Sequence, residues 1–179
     1  MKKSHLYLLL GVLIALIIVL MVYLSTKEEK PFNQIQLDTQ TNFVSNNTEF
    51  QYYDTIVYVG LKELGLEGID ITIAPLSETA RQNFQNNGGD LYAHLRESAG
   101  KYYLFILPSS KSQSITIISH ELIHLTQYHS KKLTYENGIV NWEGRPYTLE
   151  EISYNLRPWE DEAFQMEGEL SNKISKILY

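Results

Sequence analysis

The spacing of apolar residues predicts alternating helices and strands from residue 49 onward. Helical spacing over residues 49–66 indicates an amphipathic helix, which Gly65 and Gly68 would end. Alternation of β-branched and polar residues over 69–75 predicts a strand. The pattern continues with a short helix at 77–84, strands at 91–96 and 101–107, a helix from 112, strands at 133–135 and 139–142, a loop or short helix after 145, and a last helix at 157–177.

Two pairs of these strands are expected to form hairpins. Residues 97–100 would connect the first pair, and Asn137-Gly138 in the second pair is a strong signal for a tight turn. The mixture of helices and hairpins predicts an α+β fold class. We expect a short antiparallel sheet that packs on the helix beginning near residue 112, and a C-terminal helix that completes a small domain.

The N-terminal segment has a different composition. Leu6–Leu24 is uncharged and apolar, and as a helix it would span roughly 28 Å, close to the hydrocarbon thickness of a bilayer. Lys2 and Lys3 precede it, which would place the N-terminus in the cytoplasm. A cleaved signal peptide is the alternative, but bulky residues stand where its cleavage site would need small ones. The sequence therefore predicts a membrane anchor over 1–25, a linker over 26–48 and an extracytoplasmic domain over 49–179.

Charge and cysteine content narrow the classes of function. The net charge is −6 and no basic patch is visible, which argues against a nucleic-acid-binding protein. The chain has no cysteine. Disulfides and thiolate metal sites are therefore excluded, and any metal site must use histidine and carboxylate ligands.

The segment His120-Glu121-Leu122-Ile123-His124 has the pattern H-E-x-x-H. On a helix, two histidines four residues apart share one face and can bind one metal ion, while Glu121 can reach a water on that metal. At about 100° per residue, apolar residues from Ile115 to Leu125 form the opposite stripe. A chance match on an amphipathic helix is the alternative, but burying such charged groups without a use would be costly.

A third ligand is needed, because a catalytic zinc usually takes three protein ligands and leaves one position for water. Glu160 and Ala163 form an E-x-x-A pattern on the last predicted helix. H-E-x-x-H followed by E-x-x-A resembles the gluzincin class of zinc peptidases. The resemblance implies that His120, His124 and Glu160 bind one zinc ion, with Glu162 left open as an alternative to Glu160.

The chain departs from that class at Phe164, where several gluzincins have an aspartate that braces a histidine. The ligand histidines would then need a different hydrogen-bond partner. His94 and His129 are expected to be structural, since His94 lies in a predicted strand and His129 falls on the wrong face of the motif helix.

The function implied by the resemblance is that of a membrane-anchored zinc peptidase acting on a peptide or protein substrate. Zinc would activate a water, and Glu121 would act as the general base. Tyr154 is the expected oxyanion donor, although Tyr135, Tyr147 and Arg157 lie in the same interval. The alternative is a catalytically inactive zinc-binding or partner-binding surface module.

Overall fold

The computed structural model describes residues 42–85 and 91–179. Within these residues the helices are α1 (Tyr52–Glu63), α2 (Glu78–Gln85), α3 (Lys111–His129) and α4 (Pro158–Leu178), with a 3₁₀ turn at Tyr154–Leu156 before α4. The strands are β1 (Phe43–Asn46), β2 (Asp70–Pro75), β3 (Ala93–Ser98), β4 (Lys101–Ile106), β5 (Leu133–Glu136), β6 (Ile139–Trp142) and β7 (Arg145–Thr148).

The strands form two sheets of different type. The larger has the order β1-β2-β4-β3, in which β1, β2 and β4 are parallel and the edge strand β3 is antiparallel to β4. The smaller is an antiparallel meander of β5, β6 and β7. Three two-residue turns join neighbouring antiparallel strands, at Ala99-Gly100, Asn137-Gly138 and Glu143-Gly144, and all six of their residues have positive φ. That conformation is the one a type I′ hairpin turn requires.

Helix α3 is the central helix of the domain and contacts α1, α4 and β3. A capping box at Ser110 and Gln113 fixes its start, because each side chain bonds the backbone of the other residue. Its predicted apolar stripe is confirmed, since Ile115, Ile118, Leu122 and Leu125 are at most 1% exposed. Burial of side chains of this size contributes about 1.5–3 kcal/mol each, so this stripe holds the helix firmly in the core.

The predicted fold class is wrong in its sheet. The main sheet is mixed, whereas a short antiparallel sheet was expected. One reason is β1, which lies inside the range 26–48 predicted as a linker and pairs in parallel with β2. The buried Asn42 holds this strand in place, because its side chain donates to Leu66 O and accepts from Ile69 N. Such long-range bonds leave no periodic signal in the sequence. The third strand of the meander, β7, was likewise expected to be a loop or short helix.

The membrane anchor and the membrane localisation drawn from it are also corrected. Across residues 42–85 and 91–179, no helix combines the length and the apolar composition that a bilayer crossing requires. The longest helix there, α4 with 21 residues, carries charged side chains along its length. Leu6–Leu24, the segment on which the prediction fell, lies outside the described residues.

Helices α1 and α3 approach each other closely at Gly60. A Cβ atom placed on Gly60 would lie 2.3 Å from Leu122 Cδ1 and 3.2 Å from Ile174 Cδ1. Leu122 lies between the two histidines of the motif. The absence of a side chain at Gly60 therefore sets the position of the motif helix in the core.

Replacing Gly60 by Ala is expected to lower the free energy of unfolding by about 1–3 kcal/mol, because overpacking against Leu122 outweighs the better helix propensity of alanine. The matched control is Gly168→Ala on α4, where no atom of the described residues lies within 4 Å of the added Cβ. That change should raise the free energy of unfolding by about 0.5–1 kcal/mol. Equilibrium urea unfolding measures both, and stabilisation by both substitutions would contradict the close approach.

Candidate metal centre

Three ligand-type atoms meet between α3 and α4. The Nε2 atoms of His120 and His124 lie 3.2 Å apart, and each lies 3.3 Å from Oε2 of Glu160. The three side chains are only 11–12% exposed. They form a buried His-His-Glu group that can hold a metal ion, with one ligand atom from each residue.

The local structure explains why these atoms converge. One turn of α3 separates the two histidines, so their rings project from the same face. Glu160 lies in the first turn of α4, directly after the buried Trp159. Ala163, one turn further on, is completely buried, and its small side chain lets α4 approach the core closely. The first turn of a helix also favours a carboxylate, because the positive end of the helix dipole lies there.

Glu162, the alternative third ligand, lies outside this group. Its Oε2 accepts a hydrogen bond from Gln127 Nε2 at 2.9 Å, and its Oε1 is paired with Lys132. Lys132 also pairs with Glu143 and lies over the ring of Trp142. Glu162 thus serves an ion-pair network beside the centre, and the structure brings Glu160 to the histidines.

Gln127 fixes the ring of His124. The buried Gln127 amide nitrogen donates to Trp159 O at 3.0 Å and to Glu162 Oε2, so its oxygen must face the other way. That oxygen lies 2.8 Å from His124 Nδ1. Because an amide oxygen only accepts, Nδ1 carries the proton and the lone pair of a neutral His124 lies on Nε2. This is the tautomer that a metal ligand needs.

Glu167 plays the corresponding part for His120. Its Oε2 lies 2.8 Å from His120 Nδ1, and the ring of Phe164 packs against the same imidazole with centroids 4.7 Å apart. Phe164 occupies the position at which several gluzincins have an aspartate that braces a histidine. In this chain the bracing carboxylate is that of Glu167, three residues further along α4. Neither Glu167 nor Gln127 belongs to a motif in the sequence. The signal available for Glu167 was its position two helical turns after Glu160, on the same side of α4.

The pKa values of His120, His124 and Glu160 are shifted because the two imidazoles and the carboxylate lie in direct contact. Burial by itself would lower the pKa of His124, but the hydrogen bond to Glu160 and the charges of Glu121 and Glu160 outweigh it and raise that pKa to about 9. Burial opposes a raised pKa at His120 as well, and the hydrogen bonds to Glu160 and Glu167 help to overcome it. Burial would raise the pKa of Glu160, yet the two histidines and Tyr154 hold it well below its usual range.

Glu121 and Tyr154 both lie at this centre. Glu121 is 7% exposed and lines the cleft beside the histidines. The hydroxyl of Tyr154 donates to Glu160 Oε2 at 2.7 Å. Burial, reinforced by the charge of Glu160, raises the pKa of Tyr154, so its proton is retained at neutral pH. Of the other candidate oxyanion donors, Tyr135 and Arg157 line the same cleft, and Tyr147 instead packs against Trp159.

The centre opens into a cleft of about 800 Å³. One wall is the edge strand β3 together with Leu91, and another is formed by the β5–β6 hairpin and the segment before α4. His94, which was expected to be structural, has an exposed side chain on the β3 wall. Although the side chain is accessible from the cleft, the surrounding protein atoms partly desolvate the ring and lower its pKa despite the opposing charge of Glu121. His129 is the exposed last residue of α3 and does not line the cleft.

Replacing Glu167 by Ala is expected to weaken metal binding about 10- to 100-fold, because His120 loses the acceptor that orients its ring. The control is Glu169→Ala on the same helix, whose carboxylate pairs only with the exposed Lys173 among the described residues. Competition with a chelator of known affinity measures both constants. Equal affinities for the two variants would show that Glu167 does not support the centre.

The metal-free protein should lose stability as the pH rises. The pKa of His124 is raised to about 9 in the folded state, against 6.5 as the ordinary value. The proton on His124 therefore stabilises the fold fully below pH 6.5 and progressively less as the pH approaches 9, by up to about 3 kcal/mol. Urea unfolding in EDTA across this range measures the loss, and Glu160→Gln should flatten it. A wild-type slope equal to that of Glu160→Gln would contradict the assignment.

Comparison with models of protein families and with curated proteins finds no match to this chain. The likeness to gluzincins is thus limited to two short segments, His120–His124 and Glu160–Ala163, which supply the three ligand-type atoms. What the centre can do follows from the chemistry of its own side chains.

Proposed function

We propose that this chain is a zinc-dependent peptidase of the gluzincin type. In this proposal His120, His124 and Glu160 bind one zinc ion, and Glu121 is the general base for hydrolysis of a peptide bond. The observation that carries it is the nearly equilateral triangle of Nε2, Nε2 and Oε2 atoms, with sides of 3.2–3.3 Å.

The size of this triangle is compatible with zinc. Ligand atoms bound at 2.0–2.1 Å in tetrahedral geometry lie about 3.3–3.4 Å from one another, whereas right-angled octahedral geometry would bring them to about 2.8–3.0 Å. Two imidazoles and one carboxylate also suit zinc better than magnesium or calcium, which prefer oxygen ligands throughout. Three protein ligands leave the fourth tetrahedral position for water, as a catalytic site requires.

The donor set supports a metal ion independently of distance. Gln127 and Glu167 each accept at an Nδ1 atom, so in the neutral histidines both Nε2 lone pairs point at the carboxylate of Glu160. Three electron-rich atoms then face one another in a buried space. Such an arrangement is costly unless a cation lies among them. Protons supply that charge in the absence of metal, and a divalent ion replaces them in the proposed active form.

The proposed reaction assigns one step to each neighbouring side chain. Zinc supplies a Lewis acid that makes a water nucleophilic near neutral pH. Glu121 takes the proton of the attacking water and later delivers it to the leaving amine. Tyr154 keeps Glu160 in position through its hydrogen bond, and its retained proton can also be donated to the developing oxyanion if the hydroxyl turns from Glu160.

A peptide substrate is supported by the edge strand beside the centre. One side of β3 pairs with β4, and along the described residues the other side has no neighbouring strand. An extended peptide can add to such an edge through main-chain hydrogen bonds. The cleft volume of about 800 Å³ is large enough for a few residues of substrate.

Glu121→Gln is expected to lower kcat at least 10³-fold while one zinc per chain is retained, because the variant keeps all three ligands and loses only the base. Glu160→Gln should lose zinc, and the matched Glu162→Gln should keep it. Metal content by mass spectrometry and cleavage of a peptide library measure these outcomes. Zinc binding without any Glu121-dependent cleavage would instead identify the alternative, an inactive metal-binding or partner-binding module.

A further inference from the structure

Arg157 is a cleft residue whose charge the metal centre does not use. It is the last residue before α4 and lines the same cleft as Glu121 and the two histidines. Its side chain is half-buried. Position and charge together make it a candidate for contact with a substrate group.

The hydrogen bonds of this guanidinium are incomplete. Nη2 donates to Leu149 O over a long 3.4 Å, and Nε is a buried side-chain nitrogen that finds no hydrogen-bond partner among the described residues. Arg157 takes part in none of the ion pairs among residues 42–85 and 91–179. A guanidinium removed from water is normally paired with a carboxylate or phosphate, because its forked donors match two oxygens at once. The guanidinium thus keeps hydrogen-bonding capacity that its contacts within the described residues do not use, and its charge favours an anion as a ligand.

The ring of Tyr154 links this guanidinium to the metal centre. The Arg157 guanidinium carbon lies 5.3 Å from the centre of that ring, and the hydroxyl of the same ring lies 2.7 Å from Glu160 Oε2. These contacts place the guanidinium at most about 11 Å from the ligand carboxylate, a distance that roughly three residues of extended chain span. A peptide held at the centre can therefore present a carboxylate to Arg157 only from a residue close to the bond that is cut.

We propose that Arg157 binds a carboxylate of the peptide substrate, supplied by the C-terminus of the peptide, so that cleavage falls within its last three residues. This inference rests on the proposed peptidase function and names its substrate class. An acidic side chain near the scissile bond offers the same chemistry and is the second source of a carboxylate. A phosphate group is also an anion, but every unmodified peptide ends in a carboxylate and none carries a phosphate.

The test uses the whole chain and three matched libraries of N-acetylated hexapeptides. The first has free C-terminal carboxylates, the second has C-terminal carboxamides, and the third has carboxamides with Glu as the last residue. Binding is measured as retention on immobilised, zinc-loaded Glu121→Gln protein, which cannot turn the peptides over. Cleavage sites are mapped by mass spectrometry with the chain carrying Glu121.

The free-acid library is expected to bind roughly 10- to 100-fold more tightly than the carboxamide library, because hydrogen bonds to charged groups are strong. Adding Arg157→Gln should remove this preference, and Arg157→Lys should restore part of it because the charge is kept and the fork is lost. Arg96→Gln removes the other cleft arginine and should leave the preference unchanged. Equal retention of the two libraries, or a preference that survives Arg157→Gln or disappears with Arg96→Gln, would overturn the proposal.

The third library separates the two sources of the carboxylate. Retention of the Glu-carboxamide peptides at the carboxamide level supports the chain end, and retention at the free-acid level assigns an acidic side chain to Arg157. Binding and cleavage also separate the two proposals. A preference that depends on Arg157 but is not accompanied by cleavage would contradict the peptidase function and support the carboxylate site. Cleavage that does not depend on the C-terminal group would contradict the carboxylate site alone.

Discussion

The structure depends on one electrostatic constraint, the meeting of two imidazole lone pairs and a carboxylate oxygen in a buried space. His120, His124 and Glu160 are each held in that position from outside by another side chain, namely Glu167, Gln127 and Tyr154. The contacts of Glu167 and Gln127 at Nδ1 turn both Nε2 lone pairs inward, and Tyr154 donates to the same Glu160 oxygen that faces them. The group can therefore hold a metal ion, and in the metal-free chain the same contacts raise the pKa values of the two histidines.

The packing of the core serves this constraint. Helix α3 is apolar on the face that contains Leu122 and polar on the face that carries the two histidines, so burying one face displays the other in the cleft. Gly60 sets how closely α1 approaches beneath the motif. Trp159 and Ala163 seat α4 so that Glu160 reaches across to α3. The same residues that stabilise the fold thus determine the distances at the centre, which is expected of a site built on two packed helices.

The motif helix, two of the hairpin turns and the choice of Glu160 could be predicted from the local sequence pattern. The motif helix has a 3.6-residue apolar period and a capping box, and the two type I′ turns at Ala99-Gly100 and Asn137-Gly138 lie in segments predicted to be hairpin connections. The choice of Glu160 rather than Glu162 came from its E-x-x-A spacing, and the side chain does lie with the histidines. These features depend on residues close together in the chain, where spacing alone determines which side chains share a face.

The features that were missed depend on distant residues. Strand β1 is held by ladder bonds and by Asn42 rather than by an apolar period, so the range around it was taken for a linker. Gln127 bonds His124 only because Trp159 O and Glu162 occupy its amide nitrogen, and both partners come from another helix. Glu167 reaches His120 across 47 positions of sequence. Arg157 was considered as an oxyanion donor, and only the structure revealed its unpartnered nitrogen.

The most direct measurement of the central claim is anomalous diffraction at the zinc absorption edge from crystals of the zinc-loaded chain. We expect one strong peak about 2.0–2.1 Å from His120 Nε2, His124 Nε2 and a carboxylate oxygen of Glu160, with a single solvent ligand completing a tetrahedron. A peak at other side chains, a six-coordinate ion, or a chain that binds no zinc at this group would contradict it.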